Sequence, residues 1–297
     1  MTNHADTNAA IQALPPLRDI ITTHELRAEK SLGQNFLLDL NLTAKIVRLA
    51  GSLENRDVIE IGPGPGGLTR NILLQGARSL TALEKDRRAI TALASLGEAA
   101  GERLTIAEQD ALQTDPSTIG REGERLIIAN LPYNIATPLL TAWLTRIYER
   151  GTDAFQGMVL MFQKEVADRI VATHTDKHFG RLSILCQFLC DVRRGMDIPP
   201  SAFTPAPKVH STVVVFTPKK NIPVKPPLAV LEALTAAAFQ QRRKMIRSSM
   251  KPYLAQIEAL GIDPTLRAEN ISVEQYLQIA MLYAQGAPQT NYPTDHS

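Results

Sequence analysis

Cysteine is nearly absent from this chain: Cys186 and Cys190 are the only two in 297 residues. Two thiols cannot build a disulfide framework, so a reducing compartment is the expected setting. Long apolar runs are missing as well. Runs such as Met158–Phe162 fall far short of the roughly 20 residues that span a bilayer. The first 30 residues hold His4, Asp6, Arg18, Asp19 and the pair Pro15-Pro16, with no apolar stretch of the kind a secretory leader needs. These absences exclude a membrane partner and make the cytoplasm the expected location. Metal-ligand spacing is also lacking: of six histidines only His174 and His178 stand four apart, with no acid or cysteine joining them at ligand spacing. No metal is expected, and there is no internal repeat or low-complexity tract.

Net charge is small, +2 from 32 basic and 30 acidic residues. Its distribution is not. Residues 192–251 hold eleven basic side chains against Asp197 and Glu232, an excess of nine, which leaves the remainder at −7. A basic segment joined to an acidic majority suits a polyanion-binding surface. A solvated, charge-patterned helix face is the alternative.

The first 20 residues show no periodic pattern and read as a flexible tail. From Thr43 onward helices and strands alternate. Strands are expected at Asp57–Ile61, Ser79–Glu84, Leu104–Glu108, Leu126–Ala129 and Gly157–Phe162. Helices are expected at Thr43–Leu53, Leu68–Gln75, Arg87–Leu96, Thr137–Tyr148 and Lys164–Thr173, the fourth with Thr137 as N-cap and Pro138 at its first position. Leu182–Val192 and Ser211–Phe216 read as a final antiparallel pair of strands. An α/β chain with a mostly parallel seven-stranded sheet and an antiparallel edge hairpin matches the Rossmann-like class I methyltransferase pattern. Residues 21–218 would form that domain, 219–227 a Pro/Lys linker, 228–286 a small all-helical RNA-binding domain and 287–297 a polar tail. Within the helical part, helices are expected over Leu228–Ala238, Arg243–Leu260 and Val273–Gln285. Cys186 and Cys190 read as buried inert thiols and Trp143 as core.

The strand Asp57–Ile61 runs into Gly62-Pro63-Gly64-Pro65-Gly66-Gly67, and a ligand can approach such backbone closely. Glu84, closing the next strand, can accept from both hydroxyls of an adenosine ribose; Asp110, past the third strand, can accept from an adenine amine. Gly62, Gly64 and Gly67 also satisfy a dinucleotide spacing, but two prolines remove N–H donors that a pyrophosphate would need. S-adenosylmethionine, a nicotinamide dinucleotide and a purely structural turn all remain open on the loop and acids alone.

The fourth strand runs into Asn130-Leu131-Pro132-Tyr133. Adenine N6 is a poor nucleophile because its lone pair is delocalised into the ring. The Asn130 side-chain oxygen and the carbonyl of Leu131 or Pro132 can each accept one N6 hydrogen and turn the lone pair toward a methyl donor. Tyr133 offers a stacking face. Catalysis would then consist of alignment and electrostatics.

With these motifs in order, the chain resembles the ribosomal-RNA adenine N6,N6-dimethyltransferases of the KsgA type, which act on small-subunit (16S) rRNA. The resemblance covers roughly Leu26–Leu282 through Lys30–Leu37 (KSLGQNFL), Glu60–Thr69 (EIGPGPGGLT), Asn130–Ile135 (NLPYNI), Gln163–Arg169 (QKEVADR), Phe203–Ser211 (FTPAPKVHS) and Phe239–Lys244 (FQQRRK). It implies that Asn35 and Leu37, with Gln34 beside them, lie over the methionine end of S-adenosylmethionine. Gly62 would meet the amino-acid end, Glu84 the ribose and Asp110 the adenine. Asn130 would sit between cofactor and target base, and Tyr133 and Phe203 would sandwich that base. Four methyl groups would go to two adjacent adenosines in the 3′-terminal hairpin of the rRNA, within a late small-subunit precursor, and the enzyme would be a monomer. Arg242, Arg243, Lys244, Arg247 and Lys251, expected at a helix start after the linker, are the natural grip on phosphates. Competing readings are a resistance methylase of large-subunit rRNA, a non-catalytic ribosome-assembly or transcription factor, and a nicotinamide oxidoreductase.

Overall fold

The computed structural model describes residues 4–26 and 33–286. Lys30, Ser31 and Leu32 of the first motif, and the expected tail 287–297, lie outside the described residues. The chain divides into two compact units, one of Met1–Ala167 with Cys190–Lys220 and one of Asp168–Leu189 with Asn221–Ser297.

In the first unit the elements are α1 (His4–Gln12), α2 (Leu17–Thr23), β1 (Phe36–Leu37), α3 (Leu40–Arg48), β2 (Asp57–Ile61), α4 (Gly67–Leu74), β3 (Ser79–Glu84), α5 (Arg87–Ala92), α6 (Ala94–Ala100), β4 (Leu104–Glu108), β5 (Arg125–Asn130), α7 (Tyr133–Arg150) and β6 (Gly157–Gln163). α8 (Lys164–Val171) follows, then α9 (Arg181–Leu189) in the second unit, and the sheet unit ends with β7 (Cys190–Ile198), β8 (Phe203–Thr204) and β9 (Ser211–Pro218). Seven strands form one sheet in the order β4-β3-β2-β5-β6-β9-β7. β9 runs antiparallel to both β6 and β7, and the other pairings are parallel. β2 and β5 are buried at nearly every position because helices cover both sheet faces. The connections from β2 and β5 leave in opposite directions, and this switch point opens a crevice at their carboxyl ends.

The expected N-terminal tail is instead two helices. Ile11, Leu17 and Ile20 are 1%, 3% and 6% exposed, so the segment buries an apolar face. Arg103 donates to the Leu73 and Ala77 carbonyls and to Asn8, and Arg70 donates to the Pro15 carbonyl, pinning the segment to the body. Short helices with three anchoring apolar residues leave little periodic signal, and tertiary packing supplies their stability. Beyond them β1 pairs antiparallel with β8, setting Leu37 opposite Phe203. Close approach is possible because Gly67 lacks a Cβ, which would stand 2.6 Å from the Leu37 carbonyl oxygen.

Three further expectations are corrected. Leu182–Val192 is helix to Leu189 and strand only from Cys190. Ser183, Ile184, Cys186, Phe188 and Leu189 are buried on most sides of α9, so the run lacks the polar face that reveals helical periodicity. With it, Asp168–Leu189 joins the helical unit rather than the expected 21–218 domain. α7 starts at Tyr133 after Pro132, placing Pro138 inside the helix instead of at its first position. The expected Arg243–Leu260 helix is broken, because Pro252 has no N–H to donate. In the second unit α10 (Leu228–Gln240) is followed by α11 (Ile246–Ser249), a short turn of tighter helix at Lys251–Tyr253, α12 (Leu254–Ala259) and α13 (Val273–Gly286).

Arg103→Ala removes one bond to Asn8 of α1 and two to the Leu73 and Ala77 carbonyls, and should cost about 1.5–3 kcal/mol. Urea unfolding should show a lower midpoint with an unchanged slope; a wild-type midpoint would show that the guanidinium does not hold the segment.

Candidate active site

A cleft of about 230 Å³ lies at the carboxyl edge of β2, β3 and β5. Its floor is the glycine loop, its sides the segments after β3, β4 and β5, and its roof Gly33–Leu37. All eight residues expected at a cofactor line it: Gln34, Asn35, Leu37, Gly62, Gly64, Glu84, Asp110 and Asn130. Leu131, Pro132 and Tyr133 line it too. Phe203 does not. It is 4% exposed and packs in the core with Leu37, Ile198 and Val213, so the expected second aromatic wall is a core side chain here. The β1–β8 register turns it inward beneath the roof.

The acids are held with care. Glu84 Oε1 accepts from the N–H groups of Lys85 (2.8 Å) and Asp86 (2.9 Å), and Oε2 from that of Gly64 (3.3 Å). Burial pushes its carboxyl above the ordinary range, and the three N–H donors oppose that push. Asp110 accepts from Leu112 N–H and pairs with Lys85 at 2.8 Å, and the ammonium holds its carboxyl below the usual range. Asp86 takes Gln34 Nε2 at 3.0 Å and the Arg88 guanidinium at 2.7 Å, tying the roof to the end of β3.

Asn130 ends β5, half-buried, and its Nδ2 donates to the Asn35 carbonyl at 3.0 Å. With the amide nitrogen engaged by the roof, Oδ1 is the end left to accept from a ligand. Pro132, φ −57°, carries the chain into α7, and its carbonyl accepts from Ile135 N–H. Tyr133, the first residue of that helix, bonds Ser211 Oγ through its hydroxyl at 2.6 Å.

Among the lining residues that sequence reasoning missed, Glu60, Lys85 and Leu112 stand out. Glu60, quoted within a motif but given no role, is 1% exposed on β2, and its Oε2 has no hydrogen-bond partner. Desolvation, with the nearby Glu84 charge, raises its pKa to about 8. Lys85 is hidden in the sequence between two acids, and Leu112 carries a signal only in the structure, being 52% exposed for a leucine. Glu84, held by three N–H donors, and the orphaned Glu60 oxygen offer buried acceptors that fit a ligand with hydroxyls and an amine, as S-adenosylmethionine is. Among the described residues no group of His, Cys, Asp or Glu is arranged to hold a metal, and no helix is long and apolar enough to cross a membrane.

The expected phosphate grip is only partly a free surface. Arg242 donates to the Lys177 and Phe179 carbonyls and lies 5.6 Å over the Phe239 ring. It braces its own unit. Arg243, Lys244, Arg247 and Lys251 are exposed, on the turn after α10 and on short helices rather than at the start of a long one. An isolated bridge between Met245 and Arg267 brings one more basic residue alongside, a neighbour that sequence distance conceals.

The profile of the ribosomal RNA adenine dimethylases matches residues 25–285. The chain belongs to that family. It is an rRNA adenine dimethyltransferase, and membership implies S-adenosylmethionine as methyl donor and rRNA as substrate. Ribosomal RNA small subunit methyltransferase A of Rhizobium etli is 52% identical over 274 residues, covering 92% of this chain and 98% of that protein. Among solved structures, a dimethyladenosine transferase from Plasmodium falciparum superposes with a TM-score of 0.72 at 25% identity, covering 83% of this chain and 96% of that one. The 23S rRNA methyltransferase ErmE shares the fold, with a TM-score of 0.65 at 21% identity over 84% of this chain and all of that one.

In this dimethyltransferase the Glu60 carboxyl keeps its proton to about pH 8 when folded, against 4.5 ordinarily. The folded state therefore binds more protons across that window, and stability falls as pH rises through it. The urea midpoint of the ligand-free protein should drop between pH 5.5 and 8, and Glu60→Gln should flatten the drop. An equal drop in the variant would reassign it to other groups.

Proposed function

We propose that the chain transfers methyl groups from S-adenosylmethionine to N6 of two adjacent adenosines in the 3′-terminal hairpin of 16S rRNA, within a late small-subunit precursor. The observation that carries this reading is the Asn130–Asn35 bond, which presents the Asn130 oxygen to the cleft at the end of β5. The relatives named as small-subunit methyltransferases support the choice of rRNA.

S-adenosylmethionine supplies an electrophilic methyl on a positively charged sulfur. Glu84 would hold the ribose, Asp110 the adenine and Gly62 with Gly64 the amino-acid end, beneath Gln34, Asn35 and Leu37. Asn130 Oδ1 would accept one N6 hydrogen of the target base. The Leu131 carbonyl is the better second acceptor, since that of Pro132 already closes the first turn of α7. Drawing on both hydrogens turns the N6 lone pair out of the ring. Tyr133 would stack on the base, worth about 1–3 kcal/mol. Bases from a loop or hairpin end are the least costly to flip out. Arg243, Lys244, Arg247 and Lys251 would engage phosphates. The protein would act as a monomer in the cytoplasm, where small subunits assemble.

Small subunits lacking the modification, incubated with the protein and labelled S-adenosylmethionine, should carry label on the two adenosines by mass spectrometry. Label on large-subunit rRNA instead would count for the resistance-methylase reading, and no label for a binding factor. Asn130→Ala should abolish transfer while RNA binding persists; surviving transfer would refute the account of N6 activation.

Replacing Arg243 and Lys244 with alanine should weaken binding to small subunits and lower the salt slope of log K by about one for each phosphate no longer neutralised. An unchanged slope in filter binding across a salt series would remove these residues from the interface.

A further inference from the structure

Ser211 is the first residue of β9, wholly buried, and lies in register with Gln163 of β6 and Ile198 of β7. The mechanism above does not use it. Its hydroxyl nevertheless meets the Tyr133 hydroxyl at 2.6 Å, across 78 residues of sequence. Tyr133 lines the cleft and reaches the sheet with its oxygen. On the cleft side the ring hangs from a rigid point, since Pro132 fixes the backbone that enters α7. On the sheet side it ends on a residue whose backbone is held: Ser211 is paired on two strands, and the preceding carbonyl, His210, accepts from Lys164 N–H.

We infer that Ser211 is a positioning residue, which fixes where the Tyr133 ring lies by holding its oxygen, so that the surface offered to the target adenine is in place before RNA arrives. A tyrosine ring attached only through Cα and Cβ turns about two torsions. A bond at its far end, on the axis of the second torsion, removes the first and fixes the line along which the ring lies. The stacking surface is then prepaid in conformational entropy, and base and methyl donor meet in one geometry. This rests on the reading that Tyr133 stacks on the target base. The hydroxyl does not touch the RNA, because its direction is taken up by β9.

The test is a double-mutant cycle with Ser211→Ala and Tyr133→Phe, assayed on small subunits lacking the modification. Phenylalanine keeps the ring and loses only the anchor. Each single variant should lower kcat/KM for the subunit by about three- to tenfold, the range set by one hydrogen bond. The double variant should be no worse than either, and KM for S-adenosylmethionine should not move. Fluorotyrosine NMR gives a readout without RNA: the resonance missing in Tyr133→Phe should shift and broaden in Ser211→Ala. An impaired Tyr133→Phe beside an intact Ser211→Ala would mean that the hydroxyl touches substrate and would overturn the inference. Multiplying effects in the double variant, or wild-type kinetics in both singles, would overturn it equally. A wild-type protein with no activity on small subunits would instead strike the proposed function, leaving the NMR comparison to decide the anchor.

Discussion

Glu84 is the constraint from which the active site follows. A carboxylate at the end of β3 is buried, and three main-chain N–H groups, from Gly64, Lys85 and Asp86, keep it tolerable there. The Gly64 bond draws the glycine loop against β3. Asp86, whose N–H serves Glu84, uses its own side chain to cap α5 and to hold Gln34 of the roof. The next residue, Asn35, receives the Asn130 amide. One line of hydrogen bonds thus joins floor, side wall, roof and the end of β5, with every link a polar group placed by a strand terminus. A buried anion without such donors would protonate or open the site to water. Glu60, one strand away, shows the contrast: it has an orphaned oxygen and keeps its proton to about pH 8.

That electrostatic setting suits a ligand with positive charge, and it also indicates where the rate enhancement arises. On the proposed reading, stacking on Tyr133 would contribute about 1–3 kcal/mol. Fixing two reactants in a near-attack arrangement can supply about 7–11 kcal/mol. Alignment is therefore the larger effect, and the site's rigidity serves it: Asn130 is oriented by Asn35, the roof is held by Asp86, and Tyr133 is anchored on β9. A strong general base is unnecessary where the attacked carbon sits on a cationic sulfur and the alkylated nitrogen becomes acidic.

The sheet and the cleft were legible in the sequence because strands buried on both faces read as short apolar runs, and their polar ends stand out as glycine, Glu84, Asp110 and Asn130. What stayed hidden depends on packing between residues distant in sequence. α1 and α2 exist through such packing and through Arg70 and Arg103, which no local pattern announces. α9 is too evenly apolar to reveal its period, and Pro252 breaks a helix whose apolar spacing continues across it. Phe203 was expected beside the target base, and the β1–β8 register places it in the core instead. Glu60 was visible as a letter beside the glycines, yet its significance is its burial, which only the fold supplies.

The charge asymmetry also changes meaning once the fold is known. The eleven basic residues of 192–251 do not form one patch in one domain: Arg193, Arg194, Lys208, Lys219 and Lys220 belong to the sheet unit and the other six to the helical unit. One of the six, Arg242, is engaged in bracing its own unit. Attraction for a polyanion is therefore distributed over both units. Phosphate contacts position RNA without reporting its sequence. On the proposed reading, selection of adenosine comes from the cleft itself, where the Asn130 oxygen and a main-chain carbonyl would ask for a base edge with an amino group and two hydrogens to give. Cytosine and guanine carry amino groups too, so the acceptors alone do not choose. On the proposed reading the remaining discrimination is geometric, in how far the amino nitrogen of each base would reach from a ring stacked on Tyr133, and this would make the placement of that side chain a determinant of specificity as well as of rate.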